Sequence, residues 1–173
     1  MSARAAAAAA RLRGLAPVVS ADTRLLVLGS FPSAASLAAA MYYAHPRNQF
    51  WAILSALWEV DLRALPYAAR LAEVRRRGLG IWDVYASCRR EGSLDSAIEE
   101  AVPNDLAGLV ARLPALRAIA HNGGESARTM RWTRTMTPHV VQLPSSSPAN
   151  ASWSLARKVD AWRAVFAQHG LCP

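Results

Sequence analysis

The chain has 173 residues, 53% of them hydrophobic and 18% charged, so it is long enough to bury one sizeable core. It contains no apolar stretch long enough to cross a bilayer, and its two cysteines are too few for a four-thiolate metal centre or a disulfide framework. The net charge of +8 suits a polyanionic partner such as nucleic acid, but nearly all the basic residues are arginine and alanine is abundant, a bias that a GC-rich genome would also produce.

Residues 1–20 are predicted to form an extension ahead of the main domain. Met1–Gly14 is rich in alanine, carries three arginines and has no acidic residue. This composition is weakly similar to that of a transit peptide, but it has no serine-rich run and no clear cleavage site. We therefore predict a helical or partly flexible, solvent-facing extension, followed by a single domain over residues 21–173.

Short apolar segments alternate with helical patterns along the rest of the chain. The apolar segments are nearly uninterrupted, as expected for strands that are buried on both faces of a parallel sheet. The predicted strands are Arg24–Leu28, Gly80–Val84, Ala118–His121 and Val140–Leu143. The predicted helices are Ser36–Met41, Gln49–Glu59, Tyr67–Arg77, Asp105–Arg112, Ser126–Arg134 and Ala151–Gln168. The expected fold is a three-layer αβα sandwich of the α/β class, with a central, four-stranded, mainly parallel sheet.

The loops that follow the four predicted strands are rich in small and polar residues. They are Gly29–Ser33, Tyr85–Cys88, Asn122–Gly124 and Pro144–Asn150. Ligands of such folds bind beyond the carboxyl ends of the strands, so we expect the functional site along this edge of the sheet.

The segment Tyr42–Trp51 has the highest density of side chains that could carry chemistry. Stacking a nucleic-acid base on a tyrosine ring is worth roughly 1–3 kcal/mol. Arg47 could reach a phosphate, and Asn48 could hold a water molecule or read a base edge. The alternative is structural: the two tyrosines would belong to the core, and Asn48 would decorate the first turn of a helix.

Two motifs resemble those of the uracil-DNA glycosylase superfamily. Gly29–Pro32 followed by Tyr43–Trp51 is similar to its first motif region, especially in the mismatch-specific branch and in the hypoxanthine-DNA glycosylases. Pro144–Pro148 is similar to the second motif, a loop that enters the minor groove beside the extruded nucleotide. The resemblance runs from about Leu26 to Asn150 and implies the fold of that superfamily.

Two positions depart from most branches of that superfamily. Most branches place an Asp or Asn that positions the attacking water where this chain has Phe31, and many place a His or Asn that stabilises the departing uracil where it has Leu143. The hypoxanthine branch is similar to this chain at both positions. In that branch the residue that matches Asn48 is taken as catalytic, so the resemblance implies that Asn48 holds the water that attacks the sugar.

Within this resemblance, the remaining site residues fall into two groups. The expected base-binding residues are Gly29, Ser30, Phe31, Tyr43, Asp83 and Asn122. The expected DNA-binding residues are His45, Arg47, Ser145, Ser146, Ser147 and Pro148. Tyr43 would stack on the flipped base while Phe31 supplies an apolar wall. A purine leaves more easily when it is protonated, and Asp83 or His45 is a conceivable acid.

The expected function is that of a DNA glycosylase in base excision repair. The enzyme would flip a deaminated base, most of all hypoxanthine, out of double-stranded DNA and hydrolyse its N-glycosidic bond. A lyase needs an amine nucleophile, and the only lysine, Lys158, lies far in sequence from the motifs. We therefore expect a monofunctional enzyme without metal or cofactor, acting as a monomer in the bacterial cytoplasm and associated with the nucleoid through DNA.

Two alternatives stay open at this point. The chain could instead be a uracil or G:T/U mismatch glycosylase, since one hydrogen bond in the pocket can separate hypoxanthine from uracil. It could also be a non-catalytic protein that binds damaged DNA. A nucleotide-processing enzyme is disfavoured, because the sequence has no glycine-rich phosphate loop ending in Lys-Ser or Lys-Thr.

Overall fold

The computed structural model describes residues 9–173. In chain order its strands are β1 (Arg11–Arg13), β2 (Leu25–Gly29), β3 (Leu79–Asp83), β4 (Tyr85–Arg89), β5 (Glu99–Pro103), β6 (Ala118–Asn122) and β7 (His139–Leu143). Its helices are α1 (Ala34–Ala39), α2 (Phe50–Trp58), α3 (Tyr67–Arg76), α4 (Leu106–Val110), α5 (Gly124–Ala127), α6 (Met130–Thr133) and α7 (Leu155–Gln168), with single 3-10 turns at Leu62–Ala64 and Asp95–Ala97.

The core is a four-stranded parallel sheet in the order β3-β2-β6-β7. Every residue of β2 and β3 is buried, because helices cover both faces of the sheet. The predicted αβα sandwich with a four-stranded parallel sheet is therefore confirmed. Parallel pairing brings the carboxyl ends of the strands to one edge, where Gly29 lies opposite Asp83 and Asn122 lies opposite Leu143.

A second, antiparallel sheet of β1, β4 and β5 was not predicted. β4 occupies the segment that we predicted to be a loop after the second strand. β1 lies within the segment that we predicted to be helical or flexible; Arg11 donates to Ser87 Oγ over 3.0 Å and pairs with Glu100. The prediction of a helix is therefore wrong at β1, because strand pairing outweighs the helical propensity of the alanine-rich segment. Residues 1–8 of the predicted extension lie outside the described residues.

Helix α2 packs against α7 beneath the site. Phe50 and Trp162 meet edge to face at 5.9 Å between ring centroids, and both are fully buried. Helix α7 begins at Leu155, four residues later than predicted, because the hydroxyl of Ser154 caps it by accepting from the Arg157 N–H. The residues before Ser154 are thereby left as a loop beside the site. Within residues 9–173, none of the helices combines the length and hydrophobicity that crossing a membrane requires.

Candidate active site

A pocket of about 810 Å³ opens at the carboxyl end of the parallel sheet. Its walls come from the end of β3, from the segments after β2, β4, β6 and β7, and from the segment between α1 and α2. Over residues 9–173, its lining includes ten of the thirteen predicted site residues but not His45, Arg47 or Pro148. His45 lines a smaller neighbouring pocket of about 250 Å³, which shares Tyr43 and Asn48 with the first. Of the two acids considered from the sequence, Asp83 reaches the main pocket and His45 does not.

Gly29 forms the floor of the pocket where β2 ends. A Cβ atom built at this position would collide with Asp83 Oδ1 and would lie 3.2 Å from Tyr43 Oη. The absence of a side chain therefore lets the Asp83 carboxyl and the Tyr43 hydroxyl approach the backbone closely. A small residue at the end of this strand is required by the geometry of the site.

Tyr43 is held in a single orientation by contacts on two sides. Its ring stacks on Phe50 with 3.9 Å between centroids, and its hydroxyl accepts from Asn122 Nδ2 over 3.2 Å. Its backbone has a φ of 54°, an uncommon value for a residue with a side chain. Burial, followed by the nearby Asp83, raises the pKa of Tyr43 above its ordinary value, so the hydroxyl stays protonated. Because Phe50 covers one face of the ring, only the opposite face is left for a ligand.

Asn122 links Tyr43 to the second motif. Its amide group donates to Tyr43 Oη and to Ser146 Oγ, the latter over 2.9 Å, and its Oδ1 accepts from the Ser146 N–H over 2.9 Å. Both amide hydrogens are thereby used within the protein, so the side chain has no donor left for a base edge. The side chain therefore braces Tyr43 against the second motif, and the prediction that Asn122 binds the base through the backbone of the Asn122–Gly124 turn stays a prediction.

Ser146 is also an internal residue. It is 0% exposed, and its carbonyl oxygen accepts from the Gln49 N–H over 2.9 Å. A fully buried hydroxyl that already bonds Asn122 cannot reach a phosphate without rearrangement of the loop. DNA binding by Ser146 therefore stays a prediction that would require the loop to rearrange, while Ser145 and Ser147 are only partly buried and line the pocket.

Asn48 lies at the rim, between the main pocket and the smaller one. Its Oδ1 accepts from the Phe50 N–H over 2.9 Å, and its backbone carbonyl accepts from Arg63 Nη2 over 3.0 Å. The first contact satisfies one of the free N–H groups at the start of α2. A carbonyl oxygen has two lone pairs, so Oδ1 can accept one further hydrogen bond. The structural and the functional interpretations of Asn48 are thus compatible.

Asp83, the last residue of β3, is 4% exposed. Its Oδ2 is buried without a hydrogen-bond partner among residues 9–173. Burial, together with the negative charge of Asp95, raises the pKa of Asp83 from 3.8 to about 7, while Arg90 acts in the opposite direction. The pocket therefore contains a carboxyl group that titrates close to neutral pH.

The apolar part of the lining contains Phe31 and Leu143, both buried. The Arg90 guanidinium lies 5.2 Å from the centroid of the Phe31 ring. The sequence analysis missed Trp153, which lines the pocket from the loop before α7. The Arg157 guanidinium lies over its ring, 3.7 Å from the ring centroid. Trp153 was assigned to a helix, although an aromatic residue soon after the second motif was a signal that could have identified it.

Lys158 lies close behind the site, contrary to the expectation from its position in the sequence. Its Nζ donates to Gln49 Oε1 over 2.8 Å, and the backbone of Gln49 is bonded to Ser146. The lysine is only 1% exposed, and desolvation lowers its pKa from the ordinary value. It does not line the main pocket in the described part of the chain, so a sugar in the pocket cannot reach the amine. Its role is to support the motif from behind.

The described residues contain no group of three or more His, Cys, Asp or Glu side chains that could hold a metal ion. The polar groups that face the pocket are amides, hydroxyls and two carboxyls. These groups can position water, form hydrogen bonds with a planar heterocycle and transfer protons.

Comparisons with known proteins agree with one another. Residues 16–166 match the family model described as the Uracil DNA glycosylase superfamily. A protein named hypoxanthine DNA glycosylase from Methanosarcina acetivorans is 36% identical over 154 residues, which cover 89% of this chain and 97% of that protein. A protein of the same name from Methanosarcina barkeri is 34% identical with the same coverage. A solution NMR structure of a candidate uracil DNA glycosylase from M. acetivorans gives a TM-score of 0.81 at 35% identity, covering 92% of this chain and 98% of that one.

Proposed function

Because the chain belongs to the uracil DNA glycosylase superfamily, we propose that residues 21–173 form a single, monofunctional glycosylase domain that removes hypoxanthine from double-stranded DNA. The substrate is suggested by two relatives that are named hypoxanthine DNA glycosylase and are matched over almost their whole length. The observation that carries the catalytic assignment is the position of Asn48 at the rim of the pocket, with one lone pair of Oδ1 left for a water molecule.

The base enters the pocket after it is flipped out of the duplex. Phe31 supplies an apolar wall, and Tyr43 presents the ring face that Phe50 does not cover. The stacking face is held rigidly, because the Asn122 amide fixes the Tyr43 hydroxyl. A rigid aromatic surface offsets part of the free energy that unstacking the base costs. Gly29 and Ser30 complete the base-binding surface at the end of β2.

Hydrolysis needs a water molecule placed below the sugar and support for a positively charged, oxocarbenium-like transition state. The Phe50 N–H fixes the orientation of the Asn48 amide, so Oδ1 presents its second lone pair in a constant direction. A water bound there is oriented with its oxygen towards the sugar carbon C1′. The negative end of the amide dipole also favours the charge that develops on the sugar.

The DNA strands lie on the rim of the pocket. Arg47 is exposed and His45 is half-buried, and both belong to the loop that carries Asn48. Ser145 and Ser147 line the main pocket, Pro148 follows them in the same loop, and the net charge of +8 favours a polyanion. The proposal includes a monomeric enzyme that works in the cytoplasm, associated with the nucleoid through DNA.

Lys158 supports the assignment as a hydrolase without lyase activity. Its amine is buried and is bonded to Gln49, so it is not available for a Schiff base with the abasic sugar. The main alternative substrate is uracil, alone or in a mismatch, because the superfamily takes its name from that activity. Measuring excision of several bases side by side distinguishes hypoxanthine from uracil as the substrate.

The test uses single-turnover excision from duplexes that carry one inosine, uracil or xanthine, followed by alkaline cleavage of the abasic site. Wild type should release hypoxanthine, and Asn48→Ala should be slower by about 100-fold, the scale of misplacing one reactant. Ser154→Ala is a matched control. Both variants lose one helix-terminal hydrogen bond, worth about 1 kcal/mol, but Ser154 lies at the start of α7, outside the pocket lining of residues 9–173.

The outcomes separate the alternatives. Unchanged turnover by Asn48→Ala would show that another group positions the water. Release of uracil but not hypoxanthine would reject the substrate. Tight binding to abasic DNA without excision of any base would favour the non-catalytic alternative. The proposal requires that Ser154→Ala keep the wild-type rate, which shows that a modest loss of stability does not by itself stop excision.

A further inference from the structure

We propose that Asp83 donates a proton to the leaving purine as the N-glycosidic bond breaks. The inference rests on the proposed function, since it needs a purine in the pocket. It deepens that function by assigning the acid that makes the purine a leaving group and by predicting how excision depends on pH.

The position of Asp83 is the first observation that supports this role. The residue ends β3 directly opposite Gly29, and its Oδ1 packs against the Gly29 backbone. Oδ2 is buried and has no hydrogen-bond partner in the described part of the chain, although Asp83 lines the pocket. A buried polar atom without a hydrogen-bond partner destabilises the folded chain, so such atoms call for a functional explanation. A base that accepts a hydrogen bond from this carboxyl would supply the missing hydrogen-bond partner.

The surroundings of Asp83 favour its protonated form. Four titratable or charged groups face the carboxyl: Asp95 on the 3-10 turn, Arg90 after β4, and Tyr42 and Tyr43 from the segment between α1 and α2. The tyrosines are neutral, because burial raises the pKa of each. Arg90 forms no ion pair with the carboxyl in residues 9–173, and burial together with Asp95 outweighs its charge. The pKa of about 7 is close to the optimum for an acid that works near neutral pH.

Two other buried titratable side chains, His121 and Lys158, are already hydrogen-bonded. His121 lies between Ser126 and Thr133, and both of its ring nitrogens are hydrogen-bonded. Burial lowers its pKa to about 4, so it is neutral. The Lys158 amine is bonded to Gln49. Of Asp83, His121 and Lys158, Asp83 alone lines the pocket, and its Oδ2 has no hydrogen-bond partner among residues 9–173.

The chemistry of the leaving group explains why a purine needs this acid. Uracil departs as an anion whose charge spreads over two carbonyl groups. Hypoxanthine carries a basic ring nitrogen, N7, in the same five-membered ring as the glycosidic nitrogen N9, and protonation of N7 draws electrons away from N9.

The reaction balances as follows. The electron pair of the C1′–N9 bond stays with the base, and the Asp83 proton moves to N7, so that neutral hypoxanthine leaves. The water held by Asn48 forms the new C1′–O bond and releases one proton to solvent. Asp83 regains a proton from solvent after the base departs.

The test is the pH profile of single-turnover excision, measured for wild type, Asp83→Asn and Asp95→Asn on an inosine duplex. The wild-type rate should be level below about pH 7 and fall by about tenfold per pH unit above it. In Asp83→Asn the side chain keeps its shape and its amide group can still donate a hydrogen bond, but it has no proton to transfer to the base. Its rate should be lower by about 100-fold or more at acidic pH and independent of pH. Asp95→Asn removes a negative charge, so its profile should break at a lower pH than that of wild type.

A second substrate identifies the proton acceptor. A duplex with 7-deaza-2′-deoxyinosine lacks N7, so wild type and Asp83→Asn should cleave it at the same low rate. A pH-independent wild-type rate, or Asp83→Asn as fast as wild type on inosine, would overturn the proton transfer while leaving the glycosylase intact. A wild type that releases no hypoxanthine at any pH would instead reject the proposed function. Because the wild-type pH profile needs no variant, the test holds even if Asp83→Asn folds poorly.

Discussion

The buried carboxyl of Asp83 makes a prediction about stability that can be tested without any substrate. In the folded chain the pKa of Asp83 is about 7, whereas its ordinary value is 3.8. Between these two pH values the unfolded chain has lost the proton that the folded chain keeps. The contribution of Asp83 to stability is therefore fully present below about pH 3.8 and is lost as the pH rises to about 7.

The magnitude follows from the same two values. One pKa unit corresponds to about 1.4 kcal/mol, so the loss across this window is on the order of 4 kcal/mol. Asp83→Asn has nearly the same shape and does not titrate. The variant should be about as stable as wild type near pH 4 and more stable by several kcal/mol near pH 8.

The assay is urea denaturation of wild type and Asp83→Asn across that pH range, followed by far-UV circular dichroism. Titration of other side chains affects both proteins equally, so the difference between the two free energies of unfolding isolates Asp83. Asp105→Asn provides the matched control, because Asp105 caps α4 and asparagine caps a helix equally well. A difference between wild type and Asp83→Asn that stays constant with pH would refute the inference that this carboxyl is buried without a partner.

Two further variants test the contact of Lys158 with Gln49 behind the pocket and the close packing at Gly29 in the pocket. Lys158→Met leaves Gln49 Oε1 without its donor, so the free energy of unfolding should fall by about 1–3 kcal/mol in denaturant titrations. Borohydride trapping of wild type, but not of this variant, on abasic DNA would contradict its structural role. Gly29→Ala places a Cβ against Asp83 Oδ1, so single-turnover excision should fall by about 100-fold, and an unchanged rate would show that the floor of the pocket tolerates a side chain.

Local patterns in the sequence were sufficient to predict the central sheet. β2, β3, β6 and β7 begin and end within one or two residues of the predicted strands. A strand covered on both faces is a short apolar segment whatever its partners are, so its signal is contained in its own residues. The motif segments were also identified locally, and they place Asn48 in the lining of the pocket.

The antiparallel sheet could not be predicted in this way. β1 contains Arg11 and Arg13 with one apolar residue between them, which is too short a segment to be recognised as a strand, and its partner β4 lies far along the chain, with Arg11 and Ser87 76 positions apart. The stability of such a pair comes from contacts between the strands, which neither segment encodes alone. The alanine-rich composition indicated a helix because composition reports only local propensity and contains no information about pairing with a distant strand.

Sequence alone therefore determined the family, the parallel core and the residue types that surround the site. Only the tertiary structure decided what each of them does there. Ser146 is internal, Lys158 supports the motif from behind, and Asp83 has a buried oxygen without a hydrogen-bond partner among residues 9–173. The physical reason is that burial, hydrogen bonding and pKa depend on distances between side chains from separate strands and loops. Those distances are set by packing of the whole chain and not by spacing along it.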